Sequence, residues 1–272
     1  MVKVSATRLA STVYNKVWGS THTEPWYRNT DGRQIGEIWF AADVPLLVKF
    51  LFTSEKLSVQ VHPNDEYARK HHNSRGKTEM WHVLRAEPEA KVALGLREPM
   101  TETEFREACE TGEIADLVNW VPARAGDTFF IPAGTVHAIG EGLVLCEVQQ
   151  LSDLTYRLFD YWRPNRELHL DHGMRVSRRA AHDGSVVRQQ LDDSRELLAE
   201  CPYFRTERLC VNGTVVRPAC PLPTIYIALE GQGTIAGSPF HVGEAWEVPA
   251  NSEPFEILSD NAVFLTTSEP SV

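Results

Sequence analysis

From Val44 to Phe52 the chain reads Val-Pro-Leu-Leu-Val-Lys-Phe-Leu-Phe, apolar at nearly every position. The run is far too short to span a bilayer, which takes about 20 residues as a helix. It also lacks the alternation of a strand with one wet face. It reads instead as a strand buried on both faces, with Lys49 as a charge inside it. Thr53-Ser-Glu-Lys56 reads as a turn into the next strand. Val83-Leu84, Val92-Ala-Leu94 and Thr128 to Ile131 are further strand segments. Two helical stretches interrupt them. One covers Asp65 to His72. The other begins near Thr101, where Thr101-x-x-Glu104 fits a capping box. Phe105, Ala108 and Cys109 then form an i, i+3, i+4 stripe, Gly112 divides the stretch, and Ile114, Leu117 and Val118 continue it. The expectation is a mainly β protein with short helical insertions.

With 272 residues the chain can bury one large core or two modest ones. Its 37 acidic and 27 basic residues give a net charge of −10, and no basic cluster offsets this. That argues against a nucleic-acid partner. An anionic small molecule would need a local basic pocket. The N-terminus shows no apolar signal-peptide core. Cys109, Cys146, Cys201, Cys210 and Cys220 are odd in number and form no C-x-x-C. Free thiols, a cytoplasmic location and no membrane contact are the expectations. Oligomeric state is left open.

Side chains at i and i+2 of a strand point the same way. Ser58, Gln60 and His62 therefore share one face of Leu57-Ser-Val-Gln-Val-His-Pro63. Lys77, Glu79 and Trp81 share one face of Gly76-Lys-Thr-Glu-Met-Trp81. A third segment, Gly126-Asp-Thr-Phe-Phe-Ile-Pro132-Ala-Gly134-Thr-Val-His137, ends on a histidine. Gln60, His62, Glu79 and His137 together offer two imidazoles, a carboxylate and an amide oxygen, a first shell for a divalent metal. His71, His72, His82, His169, His172 and His241 lie outside this pattern.

The spacing from Gly126 to His137 matches the second metal motif of cupins at every position. Gln60-x-His62 with a distant Glu79 departs from the first cupin motif and resembles that of the type I phosphomannose isomerases. So do Pro45-Leu-Leu-Val-Lys49-Phe and Glu147-Val-Gln-Gln-Leu-Ser-Asp153-Leu-Thr-Tyr-Arg157. The resemblance runs from about Val17 to about Val176. A weaker echo follows: Gly243 to Pro254 repeats the Gly and Pro spacing, with Asn251 at the second glycine and Pro254 at the histidine. The resemblance and the echo imply two jelly-roll (cupin) barrels. Residues 1–163 would form the metal-binding catalytic unit, with its helical insertion near 100–118. Residues 164–200 would bridge to a degenerate unit, 201–272, that has lost its ligands.

The resemblance further implies one divalent ion, with zinc the family's expectation, and a phosphorylated sugar as partner. The reaction would interconvert mannose 6-phosphate and fructose 6-phosphate through an enediol(ate). Glu147 and Asp153 are the candidate proton carriers, and Arg157 would stabilise the enediolate or hold the substrate. Ser58, Lys49 and Lys77 would take the phosphate end. Two other readings are a non-catalytic sugar-phosphate-binding cupin and a metal-dependent dioxygenase on the same fold. Gln60 in a histidine's place argues against the dioxygenase, and the presence of Glu147, Asp153 and Arg157 argues against the sensor.

Overall fold

A computed structural model describes residues 6–182 and 188–270. The apolar run forms the strand Leu46–Phe52, buried at all seven positions. Alternation sends its side chains to two different cores. Val48, Phe50 and Phe52 pack with Phe204, Ile225, Ile227 and Leu265 of the later half. Leu51 turns the other way, toward Trp81, Val92, Leu94 and Ile139. Both faces are apolar because this strand lies in a central layer.

That layer is a six-stranded sheet, ordered Ser11–Ser20, Ile35–Phe40, Leu46–Phe52, Leu143–Gln150, Glu79–Ala86 and Thr128–Ile131. A five-stranded sheet covers one side, ordered Tyr156–Phe159, Val59–Val61, His137–Ile139, Lys91–Leu96 and Val118–Pro122. Its outer face packs Val59, Val61, Ala93 and Ala138 on Phe105, Ala108, Cys109 and Met174 of the helices Glu102–Thr111 and Leu170–Val176. Thr101 caps the first of these helices in a capping box with Glu104, and Gly112 ends it in the left-handed region. The other side of the central sheet is covered by a nine-stranded sheet from the later half, joined at one edge by the N-terminal strand Thr7–Arg8. Its main path runs Thr7–Arg8, Ala245–Val248, Thr224–Glu230, Phe255–Ser268, Arg205–Arg217, Arg195–Glu200 and Gln189–Gln190. All five cysteines are free thiols.

The expected jelly-roll barrels are corrected by this topology. The five- and six-stranded sheets are open paths with two free ends, the nine-stranded sheet branches at Phe255–Ser268, and among the described residues none closes on itself. In the first half the strands divide between two sheets that meet through side chains and not through backbone hydrogen bonds. In the second, the long strands Arg205–Arg217 and Phe255–Ser268 bend at bulges without joining the sheet's edges. A turn motif specifies a turn, and closure depends on edge pairing that it does not encode.

The echoed turn itself is conserved in geometry. Gly126 and Gly134 have φ of 89° and 87°, and Gly243 and Asn251 have 84° and 56°. Asparagine tolerates the left-handed region better than most residues. No helix among the described residues is long and apolar enough to cross a membrane.

Candidate active site

Register across the central sheet builds one wall. Trp39 lies opposite Lys49, Lys49 opposite Glu147, and Glu147 opposite Trp81. Directly opposed residues project from the same face, so four strands present a single row. In the next row Gln149 lies opposite Glu79. The facing sheet supplies a second row, with Arg157 opposite Gln60 and Gln60 opposite His137. His62 follows at the end of Val59–Val61. Gly76 keeps the Lys77–Glu79 segment close: a Cβ there would stand 2.5 Å from the Asn64 carbonyl carbon. Asp65 braces the same segment, accepting from the Gly76 N–H at 2.7 Å and from Gln150 Nε2 at 3.0 Å.

Between the rows three ligand groups converge. His62 Nε2 lies 3.6 Å from Glu79 Oε2, and His137 Nε2 lies 3.5 Å from Glu79 Oε1. All three residues are buried, with their ligand atoms within 4.8 Å of one another. Burial lowers the pKa of both imidazoles, that of His137 to about 4, and Lys77 lowers both further. The two histidines are therefore neutral near pH 7, and these separations are not ion pairs. His62 Nδ1 bonds the Leu154 carbonyl and His137 Nδ1 bonds the Thr135 carbonyl, each at 2.9 Å. A carbonyl only accepts, so both protons sit on Nδ1 and both Nε2 lone pairs face the carboxylate. His62 Nε2 and Glu79 Oε1 have no hydrogen-bond partner. Buried lone pairs aimed at one another repel unless a cation lies between them. Bonds of about 2.0–2.1 Å in a tetrahedron put ligand atoms about 3.3–3.4 Å apart, near the spacing seen. The donor set therefore fits a divalent metal ion.

Gln60 stands beside them, half-buried. Its Nε2 is 3.2 Å from His137 Nε2, and its Oε1 accepts from Ser58 Oγ at 3.1 Å. Half a turn of the amide would present Oε1 to an ion. Ser58 thus holds the Gln60 amide as well as lining the site.

A second charged group adjoins the first. Glu147 Oε1 lies 3.2 Å from Lys49 Nζ and 3.7 Å from Lys77 Nζ, and Lys77 Nζ is 2.9 Å from Glu79 Oε2. Burial would raise the Glu147 pKa, but Lys77, Lys49 and the bonds from Lys49 and Trp81 outweigh it and hold it at about 2. For Glu79 burial wins over Lys77, and its pKa rises to about 7. Lys77 is raised despite its burial, by Glu147 and Glu79. Environment thus drives two neighbouring carboxylates in opposite directions. The Trp39 ring covers Lys49, with Nζ 4.4 Å from its centroid.

The other expected residues lie further out. Arg157 is half-buried, and its Nη1 donates to the Glu167 carbonyl at 2.8 Å. Asp153 is exposed and acts electrostatically on Arg157. Trp39, Trp81 and Asp65 carry more of the site than the sequence suggested. For Trp81 the signal was present, since it shares a strand face with Lys77 and Glu79.

Residues 7–108 match the catalytic-domain model of phosphomannose isomerase type I. The chain is 36% identical over 264 residues to the mannose-6-phosphate isomerase ManA of Bacillus subtilis, covering 91% of this chain and 82% of that protein. It is 34% identical over 200 residues to the mannose-6-phosphate isomerase of Streptococcus mutans, covering 70% and 62%. The crystal structure of the mannose 6-phosphate isomerase from Bacillus subtilis superposes with a TM-score of 0.89 at 23% identity, over 97% of this chain and 99% of that one. With sequence identity sustained along nearly the whole chain and the metal-ligand cluster in place, this protein belongs to the type I phosphomannose isomerase family.

Proposed function

We propose that the protein interconverts mannose 6-phosphate and fructose 6-phosphate, using one zinc ion held by Gln60, His62, Glu79 and His137. The observation that carries this is the buried His62–Glu79–His137 cluster beside the Lys49–Lys77–Glu147 group, in a chain of this family. A bound ion would supply positive charge beside the substrate's carbonyl oxygen.

In the open-chain sugar, Glu147 takes the C2 proton of the aldose. The C–H electron pair forms the enediolate carbon–carbon double bond, and charge gathers on oxygen. Glu147 then returns the proton to C1 while the hydroxyl proton on O2 passes to O1, so that C2 becomes the carbonyl and the ketose forms with no net change in oxidation. Its low pKa reflects pairing with Lys49 and Lys77. A substrate anion that draws these lysines away would restore the carboxylate's basicity. Lys49, Lys77 and Ser58 are the proposed substrate contacts, Arg157 stabilises the enediolate, and Asp153 sets Arg157 or serves as an alternative proton carrier. The catalytic groups fall within residues 1–163, with 164–200 as a bridge and 201–272 as a non-catalytic unit. The cytoplasm is the proposed location.

The test is a coupled assay for fructose 6-phosphate formed from mannose 6-phosphate, run before and after chelation. Activity lost on stripping and restored by zinc is expected. Bound metal without turnover of this substrate would refute the assignment.

A further inference from the structure

Trp81 joins the two halves of the site. Its side chain is fully buried. Its indole stands edge-on to the His137 ring, with centroids 5.5 Å apart at 65°. Its Nε1–H donates to Glu147 Oε2 at 3.1 Å. One side chain therefore touches both a metal-ligating imidazole and the proposed proton carrier.

The two oxygens of Glu147 are held by different kinds of donor. Oε1 faces the ammonium groups of Lys49 and Lys77, at 3.2 and 3.7 Å. These sit on four-carbon stems with more rotatable bonds than an indole, and an anionic substrate would compete with Glu147 for them. Oε2 faces a neutral donor on a rigid ring with two rotatable bonds, enclosed on all sides. When the lysines turn away, Trp81 alone still fixes the plane of the carboxylate. A base must meet its proton at hydrogen-bond distance, and small misplacements cost rate.

We propose that Trp81 is a positioning residue for the isomerisation, anchoring Glu147 through its indole N–H at a set distance from the metal centre. The inference rests on the isomerase reading and on Glu147 as proton carrier. Trp81→Phe keeps an aromatic ring against His137 and removes the donor together with part of the ring's volume. On the zinc-replete full chain, kcat should fall by about tenfold, the typical effect of losing a hydrogen bond to a charged group. KM for mannose 6-phosphate should stay within about twofold and metal content at one ion per chain. In a Glu147→Gln background the same substitution should cost less than about twofold of the residual rate, because its effect runs through that carboxylate. An unchanged kcat, or an equal loss in both backgrounds, would overturn the role. If Trp81→Phe fails to fold, benzothienylalanine at this position, isosteric but lacking the N–H, should show the same tenfold loss, and full activity would overturn the role. Wild-type protein without turnover would instead defeat the isomerase reading itself.

Discussion

The turn at Gly126 to His137 and the turn at Gly243 to Pro254 share a backbone and differ in everything that surrounds them. Both hold left-handed residues at corresponding positions. In the first, the histidine points its lone pair at Glu79 across the gap between two sheets. In the second, Pro254 offers no ligand, and the nearby interior is aromatic. Phe240 and Phe264 lie 4.8 Å apart there, and Tyr226 and Phe255 5.7 Å. A turn presents a residue. Whether chemistry follows depends on acceptors brought in by other strands, and on whether apolar rings fill the space.

The comparison breaks most decisively at the histidine. His137→Ala should leave the chain without a bound ion and lower kcat by at least about a thousandfold. Metal analysis and the coupled assay read the two effects together, and retained metal with retained activity would sever the turn from the site. The aromatic interior gives the converse. Phe264→Ala should cost about 3–5 kcal/mol of stability, visible in denaturant melts, while metal content of the folded fraction stays at one ion.

Proton competition sharpens the first region alone. In the metal-free site Glu79 has a pKa of about 7 and His137 of about 4. An ion must displace the Glu79 proton below pH 7, while His137 stays neutral until pH nears 4. Metal affinity should fall by about tenfold per pH unit between 7 and 5. Competition titrations with a chromogenic chelator measure this, and a flat profile would place Glu79 outside the shell. The smallest effect belongs to Pro254→His: restoring the histidine should add no second ion, since among the described residues the one cluster of three metal-ligating side chains is His62, Glu79 and His137. Two ions per chain would show that the turn carries more of the site than its surroundings do.

Much of this was legible in the sequence, because strand alternation is local. Gln60 and His62, and Lys77 and Glu79, follow from i, i+2 geometry. The capping box at Thr101 follows from residue types three apart. Register does not reduce to such patterns. That Lys49, Glu147 and Trp81 form one row depends on Glu147 pairing with residues 98 and 66 positions earlier in the chain. The apolar run at Leu46–Phe52 showed two covered faces but not which layers cover them. Sheet closure was the clearest failure: the recurring Gly and Pro spacing is a local signal, and open edges are a global property. His72 and His172, which lie outside the metal-ligand pattern in sequence, bond Tyr156 and Tyr67 at 2.6 and 2.9 Å through contacts between distant segments.

The most direct measurement is a zinc titration of chelator-stripped protein, following fructose 6-phosphate formation from mannose 6-phosphate at each addition. Activity should rise linearly from near zero and break at one ion per chain. Full turnover in the stripped protein, or activity that climbs only as a second ion binds, would contradict a single metal centre between the two facing rows.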